Sequence, residues 1–408
     1  MGKPKIRFEG YSEDWEQRKL GDNIVEYTEK TTENNQYPVL TSSRKGIFFQ
    51  TDYYDGNQIA SADNTGYNIV PYGFFTYRHM SDDEIFHFNI NDIAENGIVS
   101  TLYPVFTTDE NLDSRYLQYQ LNYGREFARY AILQKQGGSR TYMYLNKLRN
   151  LYLTVPTAIE EQKKISEYFT NLDHLITLHQ RKYDETKTLK KYMLQKMFPQ
   201  NGEKVPEIRF DGFTEDWEQR KLGDITTKIG SGKTPKGGAA AYKDDGIALI
   251  RSQNVNGDRV DLSDVVFIDE QTDEDMKNSR VLKGDVLLNI TGASIGRSAV
   301  FTRELRANVN QHVCIIRTKG SDASPEFIQL NIISSNGQNQ IDSFQAGGGR
   351  EGLNFHQIGK MEFLYPGIEE QQKIGQYFAN LDHLITLHQR KCNELKEIKK
   401  YMLQNMFV

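Results

Sequence analysis

The chain has 408 residues and a net charge of −5 at pH 7, with 23 tyrosines and 21 phenylalanines. This length fits two to four domains, and the aromatic content is typical of a folded chain, not a disordered one. The acidic balance disfavours a simple polybasic protein that holds nucleic acid mainly by counterion release, but it is compatible with a local basic surface. Two cysteines in no metal-ligand spacing, with neither an apolar leader nor a membrane-spanning stretch, predict a cytoplasmic protein without membrane association.

The first segment of the chain has a second copy further on. Residues 4–22 read PKIRFEGYSEDWEQRKLGD, and residues 206–224 read PEIRFDGFTEDWEQRKLGD. Ser12 and Thr214 are suitable N-caps, acidic residues follow them and a glycine ends each copy, so the pattern predicts a short helix in both places. The only two tryptophans of the chain hold the same position in each copy. We expect them to be packing anchors and not binding residues.

Two long segments, 23–155 and 225–365, follow these copies and hardly resemble each other. Runs of β-branched and aromatic residues bounded by Gly, Asn and Asp predict a mixed, mainly β fold for both. Each segment also contains one helical pattern, SRYLQYQLNYGREFARYAI in the first and SPEFIQLNIISSNGQNQI in the second. A glycine-rich turn then follows in both. The repeated parts therefore frame two diverged domains.

A heptad pattern begins after Pro156 and again after Pro366. Eleven residues within it, LDHLITLHQRK, are identical at 172–182 and 381–391, so an internal repeat organises the chain. Apolar or semi-polar residues alternate in steps of four and three, which predicts a coiled-coil seam along a helix of about 38 residues, or roughly 57 Å. The predicted seam contains Ile165, Phe169, Leu172, Ile176 and His179 in the first copy, and Ile374, Phe378, Leu381, Ile385 and His388 in the second.

The repeat predicts an α+β fold, in which two mixed, mainly β domains are separated by two long antiparallel coiled-coil helices with internal pseudo-twofold symmetry. Parallel packing is the alternative. An antiparallel pair that crosses at mid-length would place His179 against His388. The predicted segments are a short N-terminal segment at 1–22, the first domain at 23–155, the first long helix at 156–198, a linker with the repeated N-terminal segment at 199–224, the second domain at 225–365 and the second long helix at 366–408.

The sequence contains no complete catalytic constellation. GSGKT at 230–234 resembles part of a phosphate loop, but Thr227 stands where the first glycine is required and Pro235 follows at once, which favours a surface turn. The helical histidines are spaced i, i+5 and lie on different helix faces, which favours polar seam positions over zinc ligands. We therefore expect this chain to bind no metal and no cofactor.

Polar side chains beside glycines are the strongest chemical signal in the two diverged domains. Asn and Gln amides make paired hydrogen bonds to adenine, and Arg does so to guanine, although Asn and Gly also fill ordinary turns. In both domains the glycine turn ends in arginine, and glycine allows close backbone approach to a ligand. The candidate DNA-binding residues of the first domain are Arg44, Lys45, Arg78, His79, Gln136, Gly137, Gly138, Ser139 and Arg140. Those of the second domain are Lys233, Arg251, Gln253, Asn254, Asn289, Thr291, Arg297, Asn310, Gln311, His312, Gly348, Gly349 and Arg350.

This arrangement resembles the specificity subunit of Type I restriction–modification enzymes over essentially the whole chain. The resemblance is carried by the proline-led helices that begin Ile-Glu-Glu-Gln at 159–162 and 368–371, and by the Asp-Trp-x5-Gly stretches in the repeated N-terminal segments. In the second domain it is carried by Gly284-Asp285, by residues 289–296 and by Asn-Gln-His at 310–312. The first domain lacks a recognisable counterpart of Gly284-Asp285-Val-Leu-Leu.

The family implies two target recognition domains, each of which reads one half of a bipartite, asymmetric sequence in double-stranded DNA. It also implies that the long helices act as a spacer and as the docking surface for two methyltransferase subunits, while a third kind of subunit performs restriction and translocation. The implied S-adenosylmethionine, Mg²⁺ and ATP belong to those partner subunits, and this chain is expected to be non-catalytic by itself. A rival hypothesis is a pseudo-dimeric coiled-coil scaffold that binds proteins and not DNA.

Overall fold

The computed structural model of the protein describes residues 3–57, 59–135, 139–200, 202–257, 259–346 and 352–407. The chain divides into two compact units, Met1–His179 with Lys391–Val408, and Gln180–Arg390. Each unit therefore contains one diverged domain, the beginning of one long helix and the end of the other.

The first unit contains a domain of short strands and helices followed by the start of a long helix. In chain order its elements are β1 (Glu16–Lys19), β2 (Ile24–Glu26), β3 (Leu40–Ser43), β4 (Gly46–Phe49), α1 (Gln50–Tyr53), β5 (Asn68–Pro71), β6 (Phe75–Tyr77), β7 (Met80–Ser81), β8 (Phe88–Ile90), β9 (Asn96–Val99), β10 (Val105–Thr108), α2 (Ser114–Tyr123), α3 (Arg125–Leu133), β11 (Thr141–Tyr142), α4 (Leu145–Leu148), β12 (Tyr152–Val155) and α5 (Ile159–Lys196). The central sheet is antiparallel with the strand order β2-β10-β6-β8. It packs against α2 and α3 in an aromatic core.

The second unit repeats this plan with a second four-stranded sheet. Its elements are β13 (Glu218–Lys221), β14 (Thr226–Ser231), β15 (Ile247–Ile250), β16 (Val266–Ile268), α6 (Glu270–Asp275), β17 (Arg280–Val281), β18 (Val286–Asn289), β19 (Ser298–Val300), β20 (Ala307–Val309), β21 (Val313–Thr318), α7 (Pro325–Ile333), α8 (Ser335–Ala346), α9 (Phe355–Gly359), β22 (Glu362–Tyr365) and α10 (Ile368–Met406). The antiparallel sheet β14-β21-β18-β19 corresponds to the central sheet of the first unit. A second sheet, β16-β15-β20-β17, contains the parallel pair β15 and β20.

The predicted helix in the repeated N-terminal segments is wrong. β1 pairs with β12 and β13 pairs with β22, both antiparallel, so each copy joins the strand that directly precedes its long helix. The strands end in 3₁₀ turns at Leu20–Asp22 and Leu222–Ile225. Trp15 and Trp217 are buried, which confirms them as packing anchors. A local capping pattern is weak, and here pairing with a strand distant in the sequence outweighs it.

The beginning of each long helix is clamped by the same ion pair. Arg7 donates two hydrogen bonds to the carboxylate of Glu161, at 2.7 and 2.8 Å. Arg209 donates two to Glu370, both at 2.8 Å. Both carboxylates are 1% exposed. The second glutamate of each Ile-Glu-Glu-Gln motif is therefore a buried structural residue.

The glutamine of the same motif also binds within its own unit. Gln162 accepts a hydrogen bond from the backbone N–H of Asp113 at 2.9 Å, and Gln371 accepts one from Ser324 at 3.1 Å. Each glutamine also donates to the carbonyl of the proline that precedes its helix. Because Asp113 and Ser324 are the N-caps of α2 and α7, the motif fixes a domain helix to a long helix.

Within each unit the two long-helix segments run antiparallel, as predicted. In the first unit Asp173 of α5 pairs with Lys399 of α10 at 2.5 Å, and Phe169 packs against Phe407. In the second unit the roles are exchanged, because Lys190 of α5 pairs with Asp382 of α10 at 2.5 Å. His179 and His388 belong to different units. Their expected meeting stays a prediction.

The predicted seam residues are buried where the helices pack on the domains. Those at less than a tenth exposure are Ile165, Phe169, Leu172, Ile374, Phe378 and Leu381. Ile176 and Ile385 are half-buried in matching positions. Among the helices of the described ranges none has the length and hydropathy needed to cross a membrane.

The single helix predicted near the end of each domain is two helices in the structure. Gly124 separates α2 from α3, and Ser334 separates α7 from α8. A Cβ at Gly124 would lie 2.4 Å from the carbonyl oxygen of Gln120, so the backbones approach too closely there for a side chain. The break occurs at the same place in both domains.

Candidate nucleic-acid interface

The central strand of each domain begins from the same turn. Gly73 has φ 85° and donates its N–H to the carbonyl of Asn91 at 2.7 Å, while Gly284 has φ 89° and donates to Phe301 at 2.8 Å. The register of the following strands, β6 and β18, is the same relative to their neighbours. Residues 73–77 are therefore the structural counterpart of Gly284-Asp285-Val-Leu-Leu, although the sequence pattern itself is absent from the first domain. The two stretches share only the glycine that the left-handed turn requires.

Four loops of the second domain meet where β14, β15, β18 and β20 end. The N–H of Asn310 donates to Ile250 at 3.0 Å, and the N–H of Ile290 donates to His312 at 3.0 Å. The Gly232 backbone lies so close to Val309 that a Cβ on Gly232 would sit 1.6 Å from the Val309 carbonyl oxygen. We name residues 232–234, 251–254, 289–297 and 310–312 the second loop edge. The described candidate residues of the second domain all lie on it.

Three of these candidates, Asn254, Asn289 and Asn310, are buried inside the edge, and the first two bind backbone groups of its loops through their side chains. Asn254 is 2% exposed and Asn289 is 0% exposed. The amide of Asn289 donates to the Ser252 carbonyl at 2.9 Å, and the Asn254 amide oxygen accepts from the backbone of Arg251 at 2.9 Å. These asparagines hold the loops together, and their side chains do not reach the surface of the edge.

Other candidates of the second loop edge present charge and hydrogen-bonding groups to solvent. Lys233, Gln253 and Arg297 are exposed, whereas Arg251 is half-buried. The Arg251 guanidinium donates to the Asp264 carbonyl at 2.9 Å and lies 5.9 Å from the centre of the Tyr242 ring. Cationic and amide groups on one surface suit phosphates and base edges respectively.

Thr291, His312 and Gln311 form one hydrogen-bonded chain on this edge. Nδ1 of His312 lies 2.5 Å from the Thr291 hydroxyl, and Nε2 of His312 lies 2.9 Å from the amide nitrogen of Gln311. The backbone N–H of His312 also donates to the Asn310 side chain at 3.1 Å. Asn310 is buried and Gln311 is exposed, so the chain leads from the interior of the domain to its surface.

The first domain presents a different surface, a cleft of about 350 Å³. Three predicted residues line it: Arg44 and Lys45 at the tip of the β3–β4 hairpin, and Arg78 after β6. Tyr53, Tyr54 and Tyr103 line the same cleft. We name this set the first loop edge. The structure thus brings Arg78 together with two basic residues that precede it by 33 and 34 positions in the chain.

Acidic residues partly neutralise the first loop edge. Arg44 is paired with Asp83, and hydrogen bonds from Arg44 hold the pKa of Asp83 well below its usual range. Arg140 donates to Asp82 at 2.8 Å. Within the described part of the chain Arg78 has no ion pair, and its side chain is exposed. Lys45 is likewise exposed and has no ion pair among the described residues, so Arg78 and Lys45 are the cations of this edge most available to a phosphate.

His79 is buried and packs in a patch of near-parallel aromatic rings. Its ring centre lies 5.0 Å from that of Tyr144 and 6.0 Å from that of Tyr142. Both tyrosines are exposed. Sequence reasoning missed the tyrosines of the first loop edge and of this patch. For Tyr142 and Tyr144 the available signal was the alternation of aromatic residues with a basic residue in RTYMY, which is typical of nucleic-acid binding.

A corresponding backbone hydrogen bond follows each of the two glycine-rich stretches predicted as turns, at 136–140 and 346–350. Met143 donates its N–H to the carbonyl of His79 at 2.7 Å, and Leu353 donates to Ile290 at 2.9 Å. Ser139 and Arg140 are exposed. The predicted residues Gln136, Gly137, Gly138, Gly348, Gly349 and Arg350 lie outside the described residues. The base contacts predicted for both turns stay predictions.

The described residues contain no group of three or more His, Cys, Asp or Glu side chains placed to hold a metal ion.

The family described as "Type I restriction modification DNA specificity domain" matches residues 12–188 and again residues 214–397. The chain belongs to this family. Each match covers most of one copy of the repeated frame, and the chain is a Type I specificity subunit with a role in DNA recognition. A scaffold that never touches DNA is accordingly disfavoured.

Individual relatives agree with this assignment. The chain is 21% identical to the Type I restriction enzyme MjaVIII specificity subunit of Methanocaldococcus jannaschii, over 76% of this chain and 73% of that protein. It is 30% identical to the Type I restriction enzyme EcoBI specificity subunit of Escherichia coli, over 34% of this chain and 30% of that protein. Its fold is similar to the Type I S subunit from M. genitalium, with a TM-score of 0.62 at 14% identity, over 100% of this chain and 99% of that one.

Proposed function

We propose that each loop edge of this specificity subunit reads one half of a bipartite, asymmetric DNA sequence. The observation that carries the proposal is the repetition of one frame around two unlike surfaces. The ion pairs Arg7–Glu161 and Arg209–Glu370 are equivalent, and so are the turns at Gly73 and Gly284. A duplicated frame gives each domain an equivalent approach to DNA, while different side chains on it select different bases.

The two loop edges offer different chemistry to DNA. The first combines Arg44, Lys45 and Arg78 with tyrosines. The second exposes Gln253 and Gln311 beside Lys233 and Arg297. Guanidinium groups suit guanine and amides suit adenine, so the two half-sites should differ in base sequence.

The long helices in this proposal separate the half-sites and dock two methyltransferase subunits. Large apolar residues are exposed at matching places on the two helices, with Leu175 corresponding to Leu384, and Tyr192 to Tyr401. Exposed apolar groups repeated in this way favour two equivalent protein-binding faces. S-adenosylmethionine, Mg²⁺ and ATP would be bound by the methyltransferase and restriction subunits, which supply the chemistry.

Exchange of residues 225–365 for the corresponding segment of an unrelated specificity subunit tests the division of labour. The hybrid, expressed with its methyltransferase subunits, should methylate a sequence in which one half has changed and the other half has not. The reciprocal exchange of residues 23–155 is the matched control and should change the other half only. A change in both halves, or in neither, would contradict the proposal.

Lengthening α5 and α10 by equal whole turns tests the spacer role separately. The non-specific gap of the methylated sequence should lengthen while both halves keep their bases. An insertion of the same length in the 199–205 linker is the control, since it leaves both helices unchanged. An unchanged gap in the lengthened helices would show that they do not set the spacing.

A further inference from the structure

The hydrogen-bonded chain on the second loop edge fixes the orientation of one exposed amide. The nitrogen of the Gln311 amide can only donate, so Nε2 of His312, at 2.9 Å, must accept and carry no hydrogen. The neutral ring then carries its hydrogen on Nδ1 and donates it to the Thr291 hydroxyl at 2.5 Å. The Thr291 hydroxyl accepts in this form, so both ring nitrogens of His312 are held while the ring holds Gln311.

The backbone beneath this chain is also fixed. The N–H of His312 donates to the side chain of Asn310, and its carbonyl accepts from the N–H of Ile290. Asn310 in turn bonds to Ile250 at the end of β15. The imidazole is therefore held from both neighbouring strands, and the amide that it orients starts from a rigid position. Preorganised polar groups bind a matching partner with a smaller loss of conformational entropy.

One N–H of Gln311 is used by His312, and the amide keeps an oxygen acceptor and a second N–H donor. In the described part of the chain, no other hydrogen bond is made to that oxygen. Adenine presents the complementary pair in the major groove, an N6–H donor beside the N7 acceptor. Guanine presents two acceptors, N7 and O6, so its O6 would face the amide oxygen without a hydrogen between them.

We propose that Gln311 is a specificity-determining residue that reads an adenine in the half-site of the second domain, and that His312 and Thr291 are its positioning residues. This inference rests on the proposed function, because it requires the second loop edge to face DNA. Exposed Lys233 and Arg297 on the same edge supply cations for the neighbouring phosphates.

The first domain offers no such amide at the corresponding turn. Phe106 pairs with Phe75 in the first domain as Ile316 pairs with Val286 in the second, so residues 100–102 correspond to 310–312. These residues are Ser-Thr-Leu in the first domain and Asn-Gln-His in the second. The adenine contact therefore belongs to one half-site only.

The test uses the full chain in complex with its methyltransferase subunits and DNA duplexes that vary one base pair at a time. Gln311→Ala should lower discrimination at a single A·T pair of the second half by roughly 5- to 150-fold, with unchanged preferences in the first half. Gln311→Glu should shift the preference at the same position towards cytosine, whose N4 amino group donates to a carboxylate. Unchanged discrimination at every position, or equal weakening for all sequences, would overturn the proposal.

His312→Phe tests the positioning role, because it keeps a ring of similar size and removes the acceptor. It should relax the preference at the same base pair as Gln311→Ala, and the double variant should be no less selective there than Gln311→Ala alone. Relaxation at a different base pair, or additive losses, would show that His312 does not act through Gln311. Gln271→Ala is the matched control: this glutamine is also exposed and hydrogen-bonded, but it lies on α6 outside the second loop edge, and its removal should leave every preference unchanged.

These results separate the inference from the function on which it rests. If the exchange of residues 225–365 changes one half-site while Gln311→Ala changes nothing, the second domain reads DNA through other residues and only the inference fails. If the exchange leaves both half-sites unchanged, the proposed division of labour fails with it.

Discussion

The two units of this protein share one frame but carry unlike loop edges. The frame keeps both residues and contacts, since the bonds of Arg7 to Glu161 and of Arg209 to Glu370 agree within 0.1 Å. The central strands keep only their backbone bonds, while almost every side chain differs. The comparison teaches that a buried ion pair requires the same two residue types in both units. A strand needs only the same backbone hydrogen bonds, so its side chains can differ.

A second difference concerns buried charge. Among the described residues, Glu161 is the only buried carboxylate of the first unit, whereas the second has Glu370, Asp273 and Asp285. The counterpart of Asp285 in the first domain is Phe74, which packs on Tyr27. The second unit thus relies on ion pairs where the first relies on aromatic packing. The following predictions use this comparison.

The largest expected effect is the loss of a frame clamp. Arg7→Ala leaves the buried Glu161 carboxylate without its ion-pair partner, and the free energy of unfolding should fall by about 3–5 kcal/mol in denaturant titrations. Arg209→Ala should cost the same, because Glu370 is equally buried. Lys3→Ala is the control, since its pair with Asp14 is exposed to solvent and its loss should leave the free energy of unfolding nearly unchanged. Clearly unequal losses for the two arginines would show that the frame is not equivalent in the two units.

A smaller loss of stability is expected at acidic pH, and it should be confined mainly to the second unit. Burial of Asp273 would raise its pKa, but hydrogen bonds from Arg280, Arg306 and Asn308 outweigh burial and lower it to about 2. Because this folded pKa lies below the unfolded value, the stabilisation is present above about pH 4 and is lost as the pH falls towards 2. The expected loss is roughly 2 kcal/mol.

Hydrogen exchange of peptides from each unit at pH 5 and pH 3 measures this difference. The second unit should lose protection more than the first, and Asp273→Asn should remove most of the difference while lowering stability at neutral pH. Equal loss in both units would mean that Asp273 does not govern the acid sensitivity of the second unit.

The smallest effect concerns DNA affinity at the first loop edge. Arg78→Ala should weaken binding about tenfold and reduce the slope of log affinity against log salt by about one, without changing base preference in the second half. Arg140→Ala is the comparison variant and should have a weaker effect, because Asp82 already pairs with Arg140. A change of base preference in the second half would contradict the separation of the two edges.

The long-range plan of the fold was predictable, because a heptad period and a repeated segment are both visible in the letters of the sequence. The antiparallel pairing of α5 with α10 followed from the same repeat. The strand at Glu16–Lys19 was not predictable from its neighbours, since its partner, β12, lies far along the chain. Local capping residues gave the wrong answer there.

The residue types of the candidate site could be predicted from the sequence, but the exposure and the partners of each side chain could not. Asn254, Asn289 and Gln311 all looked alike as amides beside glycines, yet the first two bind backbone groups inside the edge and the third is exposed. An amide serves backbone and base equally well, so residue type cannot distinguish these roles. Likewise, Gly73 was missed because its equivalence to Gly284 rests on backbone hydrogen bonds and φ angles, which the neighbouring side chains do not reveal.

The most direct test of the central claim is the methylated sequence itself. The chain is expressed with its methyltransferase subunits in a host free of other methylation, and modified bases are mapped across the genome. Our account predicts one asymmetric motif made of two unlike half-sites separated by a gap of fixed length and free sequence. A palindromic motif, or a single uninterrupted one, would contradict the claim that two unlike edges on one repeated frame read the DNA.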